Sequence, residues 1–216
     1  MASPVRLRLL PMSEYAGVNR ADPIRYYYWP IIGKYYRLRV ELCISECSGG
    51  ERILEVGFGT VLAFLNLAEK YDEIHGLDLT ANVEKVARAH LERGLKVFLR
   101  QGDVLQMPYP ENMFDTVLLI SILEHLQPTQ QILAFRGIWR VLKPGGQVVY
   151  GVPVERAFMA LVFRLMGVDI RRHHFSTEYD VSQAAERVFG SGHLKNIMSP
   201  IPPHRPVYQV GHFKKE

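Results

Sequence analysis

The chain has 216 residues, 48% of them hydrophobic and 22% charged, with a formal charge of +4. That composition is ordinary for a globular protein and gives one domain with a sizeable core; internal repeats and low-complexity tracts are absent. No stretch reaches the ~18 uninterrupted apolar residues of a membrane span, no long apolar core near the N-terminus announces a secretory leader, and the mild positive charge permits an anionic partner without demanding one.

Residues 1–22 read as irregular, with Pro4, Pro11 and Gly17 as breakers ahead of Pro23. From Ile24 to Ser45 the pattern is helical and aromatic: Tyr26, Tyr27, Tyr28, Trp29, Tyr35 and Tyr36. Pro30 and Gly33 are expected to split it in two. These rings either pack on a sheet or form a lid over a ligand, since an amphipathic ring serves both uses. Cys43 and Cys47, the only cysteines, sit four apart with no His or Cys neighbours to complete a zinc site. They read as free thiols of a reducing, cytoplasmic compartment. Ser48-Gly49-Gly50 is a helix stop.

Ile53-Leu54-Glu55-Val56-Gly57-Phe58-Gly59-Thr60 is the stretch that organises the rest. A buried strand ends in a carboxylate, a glycine turn follows, and a helix is expected over Val61–Lys70. Gly57 and Gly59 can take positive φ and let a ligand approach the backbone. The helix start then offers free N–H groups. A dinucleotide fingerprint wants Gly or Ala at position 62, and Leu62 stands there, which argues against NAD.

Glu73–Leu79 reads as the second strand. It ends at Asp78, about twenty residues past the glycines, where a strand-end acid meets ribose hydroxyls. Thr80 is the expected cap of the next helix, Ala81–Arg93. Val97–Leu99 is a third strand, followed by Gly102-Asp103-Val104. Phe114–Ser121 is a fourth, apolar enough to be central. Leu123-Glu124-His125 leaves it, and Gln130–Leu142 is a helix. Lys143-Pro144-Gly145-Gly146 turns into a fifth strand, Gln147–Val152.

Beyond Pro153, Arg156–Met166 is a short run dominated by apolar residues, either a buried helix or an acceptor-pocket wall or lipid-facing surface. Arg171-Arg172-His173-His174-Phe175-Ser176 follows as a polar, proton-capable cluster. A helix is expected over Glu178–Phe189. Leu194–Met198 and Val207–His212 read as an antiparallel strand pair, linked through Pro200-Ile201-Pro202-Pro203. The fold class is α/β, with a doubly wound, mostly parallel sheet and helices on both faces.

Taken together, Glu55-x-Gly57-x-Gly59, Asp78, Asp103-Val104, the Phe114-Asp115 strand, Leu123-Glu124-His125 and Leu142-Lys143-Pro144-Gly145-Gly146 resemble the class I S-adenosylmethionine-dependent methyltransferases, in order and spacing. The subgroup resembled is the type 11 group, which acts on small-molecule and lipid-like acceptors. The resemblance covers about Glu51–Val154, and Val61 departs from it where the family usually has another glycine. It implies a Rossmann-like sheet of seven strands with the last antiparallel. It implies S-adenosylmethionine as cofactor, held by Glu55, Gly57, Phe58, Gly59, Asp78, Leu79, Asp103, Val104 and Ser121, with Asp103-Val104 at the adenine. The whole chain, 1–216, is one domain on this reading: an aromatic cap over 1–50, a cofactor core over 51–154, and acceptor-side elements over 155–216. His125, His173 and His174 are candidate bases, because imidazole titrates near neutral pH. Tyr28, Phe158 and Val162 are candidate acceptor contacts, and the acceptor is expected to be substantially apolar, small or lipid-linked, with peripheral membrane contact allowed. No metal is expected. The alternatives are a nucleic-acid methyltransferase, suggested by pI ≈ 9.1, and a non-catalytic binder of the same cofactor. The first lacks the Asn- or Asp-Pro-Pro-aromatic run, for which Ser121-Ile122-Leu123-Glu124 stands instead.

Overall fold

A computed structural model describes residues 5–15, 24–59, 61–91, 93–154, 175–199 and 204–216. Seven strands form one sheet: β1 (Gly50–Val56), β2 (Tyr71–Asp78), β3 (Val97–Gln101), β4 (Phe114–Ile120), β5 (Leu142–Pro153), β6 (His193–Met198) and β7 (Pro206–Lys214). Their spatial order is β3-β2-β1-β4-β5-β7-β6. The first five are mutually parallel, and β7 runs antiparallel to both β5 and β6. The doubly wound, mostly parallel sheet with an antiparallel last strand is as the sequence implied. The order reverses between β1 and β4, which opens the crevice where ligands bind in such sheets, at the carboxyl ends of the strands.

Alternation along each strand divides the core. Ile53, Leu118, Val149, Tyr208 and Val210 face one side, where they pack with Val40, Cys43 and Ile44 of helix α1 (Ile32–Glu46). Leu54, Val117, Leu119, Val148, Tyr150 and Phe213 face the other, under helices α4 (Pro128–Val141) and α5 (Glu178–Phe189). Pro128 opens α4, and the Gln130 side chain accepts from Gln127 N–H at 2.9 Å. A reciprocal Thr177–Asp180 box opens α5, and Gly190 at φ 81° closes it.

Several boundaries differ from expectation for local reasons. The helix expected over Val61–Lys70 shrinks to α2 (Phe64–Leu67), because Val61 lies at φ 53° and the chain closes on short-range bonds such as Lys70 N–H to Leu67 O. Gly33 does not interrupt α1 but sits inside it, after a 3-10 turn over Ile24–Tyr28. A Cβ on Gly33 would lie 2.5 Å from the Tyr27 carbonyl oxygen, so the glycine marks close approach rather than a break. Lys143–Gly146 is not a free turn: β5 begins at Leu142 and bulges there, with the register shifting between Phe114 and Thr116. Helix α3 (Val83–Leu91) is capped by Asn82, whose Oδ1 accepts from Lys85 N–H at 3.2 Å, not by Thr80. The Pro200–Pro203 link and the apolar run over 156–166 lie outside the described residues.

Candidate functional site

The β1–α2 turn is held open by backbone geometry. Gly57 and Gly59 take φ of 72° and 40°, and Gly57 N–H donates to Leu77 O at 2.7 Å. A Cβ at Gly57 would meet Ile122 Cδ1 at 2.1 Å, so the turn also needs glycine for packing. The Phe58 ring is buried and packs against Phe64, with ring centroids 6.0 Å apart. What Phe58 offers a ligand is therefore backbone. Val61 holds the left-handed conformation that the missing glycine would take freely. For a β-branched residue that is strain, and it falls just after the glycine turn.

Glu55 lies beneath this turn on the α1 side of the sheet. It is 4% exposed, and its Oε2 has no hydrogen-bond partner among the described residues. Burial, reinforced by the negative charge of Asp78, pushes its carboxyl up to about 8. A buried acceptor atom without a donor is costly unless a ligand supplies one. A ligand group that donates a hydrogen bond is the chemistry that fits there.

Asp78 ends β2 and stitches two segments together. Its Oδ2 accepts from Gly59 N–H at 2.9 Å, and its Oδ1 accepts from Thr80 N–H and Ala81 N–H, both at 2.8 Å. A carboxylate has about four lone-pair sites. Thr80 Oγ1 adds a longer hydrogen bond to Oδ1 at 3.5 Å, so the free acceptor capacity of Asp78 lies on Oδ2. Next to it Leu79 is 63% exposed, an apolar side chain at a strand end with nothing covering it among the described residues. Asp103 caps a short turn through Oδ1 to Leu105 N–H at 2.9 Å, and Val104 is buried. These groups stand together at or just beyond the carboxyl ends of β1, β2 and β3.

On the other side of the switch point, Ser121 directly follows β4 at φ 57°. Its Oγ lies 3.1 Å from the hydroxyl of Tyr208, on β7. Burial pushes the Tyr208 phenol well above its usual range, so it remains protonated. Sequence reasoning missed Tyr208: nothing local links it to Ser121, 87 positions earlier. Glu124, in the motif next to His125, is buried, while His125 itself is exposed. The Tyr28 hydroxyl donates to the Leu10 carbonyl. Phe158, Val162, His173 and His174 lie outside the described residues.

Residues 54–150 match the methyltransferase domain family of type 11. The ubiquinone biosynthesis O-methyltransferase of Alkalilimnicola ehrlichii is 31% identical over 131 residues, covering 58% of this chain and 52% of that one. Its namesake from Klebsiella pneumoniae is 28% identical over 170 residues, covering 74% and 69%. This chain thus spans about half to two-thirds of the length of these relatives. An N-methyltransferase of Bradyrhizobium japonicum, NodS, solved with S-adenosyl-L-homocysteine, superposes with a TM-score of 0.66 at 18% identity, over 94% of this chain and 96% of that one. Strand order, glycine turn and strand-end acids define a class I methyltransferase fold. The matched domain, the methyltransferase relatives and the solved structure together support a class I S-adenosylmethionine-dependent methyltransferase, similar to the type 11 group.

Proposed function

We infer that this chain transfers a methyl group from S-adenosylmethionine to a small-molecule acceptor, an oxygen on a quinone-type or phenolic ring. The observation that carries the reading is the buried Glu55 Oε2 without a donor, set under a glycine turn that Asp78 braces. Gly57, Gly59, Asp78, Leu79, Asp103 and Val104 would hold the nucleoside, and Glu55 the cationic end. When bound, the cofactor supplies a methyl group activated by its sulfonium. The chain's own work is to orient the acceptor and keep water out. The protonated Tyr208 hydroxyl, with Ser121, can donate a hydrogen bond at the strand ends but cannot act as a base near neutral pH. The acceptor class rests on the names of the relatives, two ubiquinone O-methyltransferases and a demethylmenaquinone methyltransferase of Tropheryma whipplei.

Calorimetric titration should show S-adenosylmethionine and S-adenosylhomocysteine binding far more tightly than NAD. Isotopically labelled cofactor incubated with the protein and a panel of catechols should then yield labelled methyl ethers. Equal affinity for NAD would sink the cofactor assignment, and labelled product only on nucleic acid would move the chain to a different acceptor class.

A further inference from the structure

Arg39 projects from α1 into the aromatic cluster beside Tyr208. Its guanidinium carbon lies 4.3 Å from the ring centroid of Tyr36 and 5.3 Å from that of Tyr208. The Tyr27 side chain accepts a hydrogen bond from it. Its Nε is shielded from solvent and has no acceptor among the described residues. Among the described residues no carboxylate pairs with it, although Arg8 and Arg93 each have one and Arg52 has two.

Ring faces offset part of a buried cation's charge but give its N–H groups no anionic oxygen. Shielding a charge without a counter-charge is unfavourable, so an Arg kept in that state suggests a partner that arrives from outside. Its position suggests which partner. Tyr208 pairs with Pro153, the last residue of β5, and its hydroxyl reaches Ser121 at the end of β4. Arg39 therefore stands one ring away from the carboxyl ends of the strands, on the side of the switch point opposite Asp78. Both Arg39 and Tyr208 fall outside the stretch that matches the methyltransferase domain.

We propose that Arg39, walled by Tyr36 and Tyr208, receives a carboxylate carried by the methyl acceptor. The proposal rests on the methyl-transfer reading above. The planar guanidinium matches a carboxylate with paired N–H bonds, which an ammonium cannot do. The Tyr208 hydroxyl adds a further donor at the same place. Such a contact anchors the acceptor by its anionic end and leaves the rest of the ring toward the cofactor side of the crevice.

The test titrates protein loaded with S-adenosylhomocysteine with 4-hydroxybenzoate and with its neutral counterpart 4-hydroxybenzamide. Wild type should bind the benzoate at least tenfold more tightly. Arg39→Gln should abolish that preference and leave benzamide affinity within about twofold. Arg39→Lys, which keeps the charge and the packing of the stem, should retain only part of it, and this variant decides the matter if Arg39→Gln does not fold. Equal affinities in wild type, or a preference that survives both substitutions, would overturn the proposal. The loading titration separates the two readings: normal S-adenosylhomocysteine affinity with no carboxylate preference removes the role of Arg39 alone, whereas no cofactor binding removes the methyl-transfer reading.

Discussion

At the scale of single residues, Glu55 is a buried carboxyl held at a cost in stability, which the proposed cofactor contact would offset. Its folded carboxyl titrates near 8 against an ordinary value of 4.5. The folded state therefore holds a proton that the unfolded state releases, and stability falls as pH rises between those two values. Glu55→Gln should raise the melting temperature of the ligand-free protein, more at pH 8.5 than at pH 5, and weaken cofactor binding at least tenfold. Calorimetry with and without S-adenosylhomocysteine checks both halves. An equal thermal shift at the two pH values would mean the carboxyl is not shifted. Asp78→Ala is expected to cost about 1.5–3 kcal/mol of cofactor binding. Because Asp78 also holds Gly59, Thr80 and Ala81 N–H groups, it should lower the melting temperature as well. Val61→Gly should change stability by less than about 1 kcal/mol, since relief of roughly 1–2 kcal/mol of strain opposes lost burial and the entropy of glycine. Val117→Gly, in mid-strand with ordinary dihedrals, should cost several times more in the same urea titration.

At the scale of elements, what was legible in the sequence were features with local signatures. The strand–glycine–strand-acid pattern located β1, β2 and the turn, because apolar runs and glycines report local backbone needs. The length of α2 was not legible, since Val61 adopts a conformation its residue type disfavours. Gly33 reads as a breaker by type, and only the Tyr27 carbonyl beside it reveals close packing. Tyr208 and Arg39 carried no signal, because their meaning lies in strands and helices brought together from opposite ends of the chain. Asp115 is intermediate: the motif marked it, and the structure supplies its work. It accepts from Arg52 N–H at 2.8 Å and pairs with Lys143 at 3.0 Å, tying β4 to β1 and β5 at their amino ends. Burial disfavours its charge, but those two donors outweigh burial and hold the carboxyl below its usual range. The stabilisation is therefore present above the unfolded pKa and is lost as pH falls through the folded one. Asp115→Asn should cost about 1–2 kcal/mol at pH 7, and the gap from wild type should close on acidification toward pH 3. A gap independent of pH would mean that charge plays no part.

At the scale of the whole molecule, the cofactor motifs occupy one contiguous stretch, but the core they stand on does not. The last strand lies between β5 and β6. Its side chains fill both faces: Tyr208 and Val210 enter the α1 side, and Phe213 enters the α4–α5 side, stacked on Tyr150 with ring centroids 6.0 Å apart. Lys215 ties the end of the strand to the Leu142 carbonyl at 2.7 Å and to Asn112 Oδ1 at 2.8 Å. Removing β7 would leave β5 with an unpaired edge, deprive β6 of its only partner in the sheet, and expose two apolar faces at once. A chain ending at Ser199 retains Glu55, the glycine turn, Asp78 and Asp103, yet is expected to lose its cooperative thermal transition and its cofactor binding together. Substituting the half-exposed Leu194 of β6 by Lys should leave both nearly unchanged, because its side chain is 38% exposed. Differential scanning calorimetry of the two variants decides the point. A sharp transition in the shortened chain would mean that residues before β6 hold a self-sufficient core. Its absence, beside a wild-type profile for the Leu194 variant, would place the support of the cofactor turn in a strand that carries none of its motifs.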